Sequence, residues 1–238
     1  MELWIIATFV AFFIKGLCGF ANTLVLTSIL GFGVDNVAIS PVEMMVGYPA
    51  NFIMAIKNRG KIRKDLVRIL PLLILAGSIP GALLLRDVNA GYIKIVFGAV
   101  VILIGIELLL REYGINILKE SKFVMGVIGL LSGILCGLFG VGALLAAYMS
   151  HVTKTSDEFK ANLSAIFIVE NTARIIIYCV LGVFTLQSLK TALILIPVMV
   201  LGIGAGMLSA KRINEKVIKK LVIVLLIISG VALIVRGV

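Results

Sequence analysis

The chain has 238 residues, of which 61% are hydrophobic and 14% are charged, and its formal net charge is +10. Soluble domains carry roughly a quarter charged residues, so a mean hydropathy of +1.18 indicates a membrane protein with little mass outside the bilayer. This composition excludes a separate catalytic domain. The basic residues lie in short loops between apolar runs, which favours their retention on the cytoplasmic side over nucleic-acid binding.

The N-terminal stretch and the cysteines each give one further expectation. The opening MELWIIATFVAFFIK lacks a positive n-region and an A-x-A cleavage site, so we interpret it as mature sequence. Cys18, Cys136 and Cys179 are odd in number and lie in apolar runs. They predict small packing residues rather than a disulfide framework.

Apolar segments follow one another along the whole chain. They cover residues 3–31, 37–56, 69–85, 92–110, 123–150, 161–184, 189–210 and 217–235. A membrane-spanning helix needs roughly 20 residues. The first and fifth segments are too long for one upright helix and are interrupted by glycines, whereas each of the others predicts a single span.

The two glycine-interrupted segments belong to an internal repeat. GLCGFANTL at 16–24 aligns with GLFGVGALL at 137–145, and residues 79–110 align with 204–235. We therefore divide the chain into an N-terminal repeat, 1–112, a polar linker, 113–121, and a C-terminal repeat, 122–238. Together they form a single membrane domain.

The charged loops predict that the repeats are inverted relative to each other. The loop at 57–68 is strongly basic, but its counterpart around 183–190 has only Lys190; the loop at 211–220 is basic, but its counterpart near 86–91 is sparse. Inversion requires an odd number of crossings per repeat. Each glycine-broken segment is therefore predicted to be a re-entrant hairpin of two half-helices of about 12 residues. The alternative is that both cross fully, which places one of the two basic loops outside.

Broken backbone at membrane depth is tolerated where protein buries it or water reaches it, so the hairpins predict a binding site near the midplane. Lys15 is the only basic residue inside the first hairpin, and an intramembrane cation beside helix N-termini suits an anion. The alternative is that Lys15 snorkels or pairs with Glu43. Asn22 and Thr23 supply neutral donors, unless they only cap the broken backbone.

Glycines at the two turns are further candidates for the site. Close approach of backbone to a ligand is one interpretation and helix packing the other. The turn glycines are Gly16, Gly19, Gly137, Gly140 and Gly142. Among them Gly19, Gly140 and Gly142 are taken as substrate-contacting residues.

Two later segments carry the remaining candidates. Glu43, Gly47 and Asn51 share one helix face, between Pro41 and Pro49. Glu170 and Arg174 are four residues apart with Asn171 between them, and they form either a structural ion pair or an anion-binding Arg174 with Glu170 or Glu43 taking up a proton. Asn51 and Asn171 occupy equivalent places in the repeats and are expected to bind substrate. His151, the only histidine, predicts a solvated loop residue and no metal site.

The glycine patterns resemble a known family. The stretches GLLSGILCGLFGVGALLAAYM (129–149) and IKGLCGFANTLVLTSIL (14–30) are similar to the repeated signature of the sulfite exporter TauE/SafE family, and IPGALLLRDV and GAGMLSAKRI fit its small-residue helix pattern. The resemblance implies a transported sulfur anion, sulfite or a small sulfonate. The family's consecutive glycines are reduced here to Gly140, Gly142 and Ala143, and Thr27-Ser28 and Ala147-Tyr148 replace its following proline, so the cargo stays open.

The sequence thus predicts an all-α polytopic protein of the cytoplasmic membrane, a secondary transporter that moves a small anion by alternating access with proton coupling. No GxxxxGK[ST], HExxH or GxSxG motif is present, so neither an ATPase nor another enzyme is predicted, and no cofactor is expected. The expected partners are the anion and the lipid bilayer, with no nucleic acid; association with further copies of the chain is left open. A passive anion channel and a membrane subunit of a larger complex are the alternatives.

Overall fold

The computed structural model describes residues 1–30, 34, 36–84, 121–139, 142–180, 182 and 184–235, with scattered positions between 95 and 110. Within these residues every regular element is a helix, which confirms the all-α class. The helices are α1 (Glu2–Cys18), α2 (Asn22–Leu30), α3 (Asn36–Lys57), α4 (Lys64–Leu84), α5 (Lys122–Phe139), α6 (Ala143–Val152), α7 (Ser156–Val180), α8 (Leu186–Ala210) and α9 (Glu215–Val235), with a short 3-10 turn at Arg59–Lys61.

The helices coincide with the apolar segments, except that α4 and α7 begin about five residues before the predicted starts. At α7, the Thr155 hydroxyl accepts the Glu158 N–H at 3.2 Å, and acidic residues in the first turn favour the helix N-terminus. At α4, the first-turn Asp65 accepts hydrogen bonds from Arg63, which lower the pKa of its carboxyl. Most of the segment at 92–110 and nearly all of the linker lie outside the described residues.

Both long segments are broken at their glycines. Gly19 ends α1 in the left-handed conformation, with φ of 98°, and its N–H donates to the Lys15 carbonyl at 2.6 Å. Ala21 also has positive φ, 73°, which costs a non-glycine residue roughly 1–2 kcal/mol. In the second hairpin α5 ends at Phe139 and α6 begins at Ala143.

The predicted length of about 12 residues for each half-helix is wrong. The two pieces have 17 and 9 residues in the first hairpin and 18 and 10 in the second. In the first hairpin α1 ends at Cys18 and the turn uses residues 19–21, so fewer residues of the segment 3–31 remain for α2. Re-entry of these hairpins into the bilayer stays a prediction.

The helices form two compact units. Unit 1 comprises Met1–Ile62 and Lys160–Asn214, and unit 2 comprises Arg63–Phe159 and Glu215–Val238. Unit 1 therefore holds α1, α2, α3, α8 and most of α7. Unit 2 holds α4, α5, α6 and α9. Each unit takes helices from both predicted repeats, so the repeats at 1–112 and 122–238 remain an interpretation of sequence similarity.

One closely packed helix pair dominates each unit, and glycines allow the approach. In unit 1, a Cβ built on Gly206 of α8 would lie 3.0 Å from Gly16 Cα of α1 and would overlap the Phe13 carbonyl. In unit 2, a Cβ on Gly133 of α5 would lie 2.9 Å from Gly77 Cα of α4. Gly16 is therefore a helix-packing glycine, the second of its two interpretations.

We expect Gly206→Ala to destabilise the chain, because the added methyl group would collide with α1 backbone that has no room to move. The expected cost is roughly 1–3 kcal/mol, measured as a lower melting temperature in detergent. Gly204→Ala is the matched control: its Cβ would meet nothing within 4 Å. Equal melting temperatures for the two variants would contradict the close approach of α1 and α8.

The outer surface of α8 is apolar. Leu193, Leu201 and Leu208 are 59%, 68% and 63% exposed. Contiguous apolar surface of this kind is rare on soluble proteins. Among the described helices, Ser156–Val180 and Leu186–Ala210 are long and apolar enough to cross a membrane, as judged from length and composition.

Candidate functional site

Lys15 lies in the last turn of α1 and is only 2% exposed. Its Nζ donates to Asn22 Oδ1 at 2.9 Å, across the break between α1 and α2. The same ammonium lies 5.9 Å from the centre of the Phe167 ring, within the range of a cation–π interaction. The side chain is therefore held inside unit 1 and does not snorkel to an interface.

Asn22 and Thr23 begin α2, and both side chains reach α3. Asn22 Nδ2 donates to Glu43 Oε1 at 2.5 Å, and the Thr23 hydroxyl donates to the same oxygen at 2.8 Å. These bonds link the hairpin to α3, so the two side chains do more than cap the broken backbone. The Asn22 amide thereby joins the Lys15 ammonium to the Glu43 carboxylate.

Glu43 lies in the first half of α3 and is 8% exposed. One turn later, Gly47 packs closely against this network: a Cβ there would lie 3.3 Å from Glu43 Oε1 and 3.6 Å from Asn22 Nδ2. Pro41 and Pro49 both lie inside α3, where each removes a backbone donor. The carboxylate is therefore fixed by side chains from the hairpin, and Gly47 lets those side chains approach α3 closely.

Glu170 and Arg174 form the predicted ion pair along α7. Glu170 is 2% exposed and the Arg174 side chain 12%. The Glu43 carboxylate interacts electrostatically with Lys15, Arg174 and Glu170, so the four groups act on one another. We call Lys15, Glu43, Glu170 and Arg174 the buried charge cluster; with both carboxylates ionised, its formal charges sum to zero.

The two asparagines predicted at equivalent positions both lie in unit 1. Asn51, two turns after Glu43 on α3, is 2% exposed, and its Oδ1 is buried without a hydrogen-bond partner among the described residues. An acceptor of this kind bonds to water or to a ligand. Asn171 is half-buried beside Glu170.

The glycines of the second turn and His151 lie elsewhere. Gly142 precedes α6 in unit 2, and Gly140 is outside the described residues. Their contact with substrate stays a prediction. The expectation of a solvated His151 is wrong: it is 5% exposed, because α6 continues to Val152 and carries it into the interior. Cys18 and Cys136 are buried, as expected of packing residues, while Cys179 is exposed.

Sequence reasoning missed two polar residues and an aromatic one on α7. Lys160 is 4% exposed, and Asn162 is fully buried and donates to the Lys61 carbonyl at 3.0 Å. Both were placed in or beside a loop because α7 was expected to begin at residue 161. Phe167 faces Lys15, and its place three residues before Glu170 was the only available signal.

A family model matches residues 4–233, and its description is sulfite exporter TauE/SafE. The chain belongs to the sulfite exporter TauE/SafE family. No curated protein and no solved structure matches the chain. Membership confirms the resemblance carried by the glycine motifs. The family is one of membrane transporters.

Proposed function

We propose that this TauE/SafE chain is a secondary transporter that carries a small sulfur oxyanion, sulfite or an organosulfonate, across the cytoplasmic membrane with proton coupling. The observation that carries the proposal is the buried charge cluster at the break of the first hairpin. Buried charges are costly and are retained in membrane proteins mainly where function requires them. Here they lie beside neutral hydrogen-bond donors, an arrangement that suits an oxyanion.

Each proposed ligand group has a distinct task. The Lys15 ammonium and the Arg174 guanidinium would supply positive charge, and a guanidinium binds oxyanions through two parallel hydrogen bonds. The Asn22 amide and the Thr23 hydroxyl would donate to the remaining oxygens. The first N–H groups of α2 add positive potential at the same place, because Asn22 is the first residue of that helix.

The inverted-repeat arrangement belongs to the same proposal. In the sequence repeat, α1 corresponds to α5 and α8 corresponds to α4, so the pair α1–α8 has its counterpart in α4–α5. In both pairs, glycines allow the two helices to pack closely. We place the basic loops 57–68 and 211–220 on the cytoplasmic side and both termini outside, with the repeats rocking around a midplane site. Thiol labelling from each side of the membrane that finds these two loops on opposite faces would reject the inversion.

Transport assays on the purified chain in proteoliposomes test the function. We expect saturable sulfite uptake that increases with an imposed proton gradient, and a higher melting temperature with sulfite or a sulfonate than with acetate. An uptake rate that does not change with the proton gradient would favour the passive channel. Stabilisation by carboxylates alone would reject the sulfur anion as cargo.

A further inference from the structure

We infer that Glu43 is the carboxylate that takes up the coupled proton, and that Asn22 is the positioning residue that makes anion and proton bind together, one of each. This inference rests on the proposed function and specifies how its site is regulated. It follows from the hydrogen bonds of Asn22 and from the charges of the buried charge cluster.

The charges of the cluster indicate that a positive charge must enter together with the anion. With both carboxylates ionised, the cations Lys15 and Arg174 are already neutralised within the cluster. A monoanion entering alone would leave a net negative charge in a poorly solvated interior, which is strongly unfavourable. If one proton forms an O–H bond on a carboxylate as the anion enters, the net charge stays at zero.

Hydrogen bonding distinguishes the two carboxylates. Glu170 is in direct contact with the Arg174 guanidinium, so protonating it would break an ion pair. Glu43 Oε1 instead accepts from two neutral groups, Asn22 Nδ2 and the Thr23 hydroxyl. Its nearest cation, Lys15, reaches it through the Asn22 amide. Protonation of Glu43 therefore breaks no direct ion pair among the residues that the structure describes.

The remaining surroundings of Glu43 leave this assignment unchanged. From α1 it faces Lys15, from α2 only the neutral Asn22 and Thr23, and from α7 the pair Glu170 and Arg174. Lys160 lies ten residues before Glu170 on α7 and interacts with Cys18. The only charged residue of α8, which packs against α3, is Lys190 in its exposed first turns.

Asn22 connects the two events. While Glu43 is ionised, the amide donates to the carboxylate and accepts from Lys15. When Glu43 becomes neutral, it is a weaker acceptor and competes less for these donors. The Asn22 NH2 group, the Thr23 hydroxyl and the Lys15 ammonium can then donate to the oxygens of the anion. A proton on Glu43 and an anion at Asn22 thus stabilise each other.

Proton uptake on anion binding tests the inference, using the purified full chain in detergent with methanesulfonate and sulfite as probes. The charge of methanesulfonate does not titrate near neutral pH; the count for sulfite is corrected for its own protonation. We expect one proton taken up per anion bound. Glu43→Gln should bind the anion without proton uptake and with an affinity independent of pH.

Asn22→Asp adds a carboxylate to the cluster, so its affinity at neutral pH should fall at least about tenfold and recover as the pH is lowered. The control Thr8→Val removes another buried hydroxyl of unit 1 and should keep the wild-type proton count. If the wild-type chain binds the anion without taking up a proton, the inference is overturned but the proposed function is not. This result does not depend on whether Glu43→Gln folds. Absence of binding to either probe overturns the proposed function.

Discussion

Replacing Lys15 with methionine is expected to abolish anion uptake, lowering the initial rate in proteoliposomes by roughly 30-fold or more. Lys15 is a buried cation joined to Asn22 and through it to Glu43. Removing one partner of a buried, hydrogen-bonded charge pair costs about 2–5 kcal/mol, and each 1.4 kcal/mol is about tenfold in affinity. Without the ammonium, the cluster acquires a net negative charge when both carboxylates are ionised, and this charge repels the substrate.

Lys190→Met is the matched control for this loss. It removes the same charge from an exposed position on α8, so its uptake rate should stay within about twofold of wild type. Uptake by Lys15→Met at the wild-type rate would remove Lys15 from the site. Comparable losses in both variants would instead indicate a general effect of net charge on the protein in the membrane.

Replacing Arg174 with alanine is expected both to destabilise the chain and to stop transport. Glu170, which is 2% exposed, would lose the guanidinium that pairs with it. Breaking a buried pair by removing one partner typically costs about 3–5 kcal/mol, because a charge is left uncompensated. A lower melting temperature in detergent and the loss of sulfite uptake are the two measurements.

The double variant Glu170→Gln with Arg174→Gln separates the roles that the sequence leaves open. Two neutral amides of similar size leave no buried charge, so we expect most of the lost stability to return. If Arg174 binds the anion, uptake by the double variant stays low although the protein folds. Recovery of both stability and uptake would make the ion pair purely structural.

The sequence was informative wherever local composition decides the structure. Apolar length placed the helices, and Gly19, which adopts positive φ at low cost, marked the break after α1. The spacing of Glu170 and Arg174 sufficed to predict their ion pair, because residues four apart share a helix face. These features depend on residues that are close in the chain, and they can therefore be predicted from the sequence.

Features that depend on packing between distant segments were harder to predict from the sequence. Asn22 and Glu43 were each chosen as candidates, but their hydrogen bond requires the packing of α2 on α3. Phe167 resembles any other aromatic residue of an apolar helix until Lys15 is placed opposite it. The burial of His151 required the true end of α6, and the ends of elements are the least predictable part of a fold.

The assembly of unit 1 from Met1–Ile62 and Lys160–Asn214 has a consequence for biosynthesis. At about 5–20 residues per second, α1 waits roughly ten to thirty seconds before the ribosome has made α8, its packing partner. Throughout that interval Lys15 and Glu43 are present, whereas Glu170 and Arg174 arrive only with α7. A nascent chain that stalls halfway therefore carries Lys15 and Glu43 without Glu170 and Arg174.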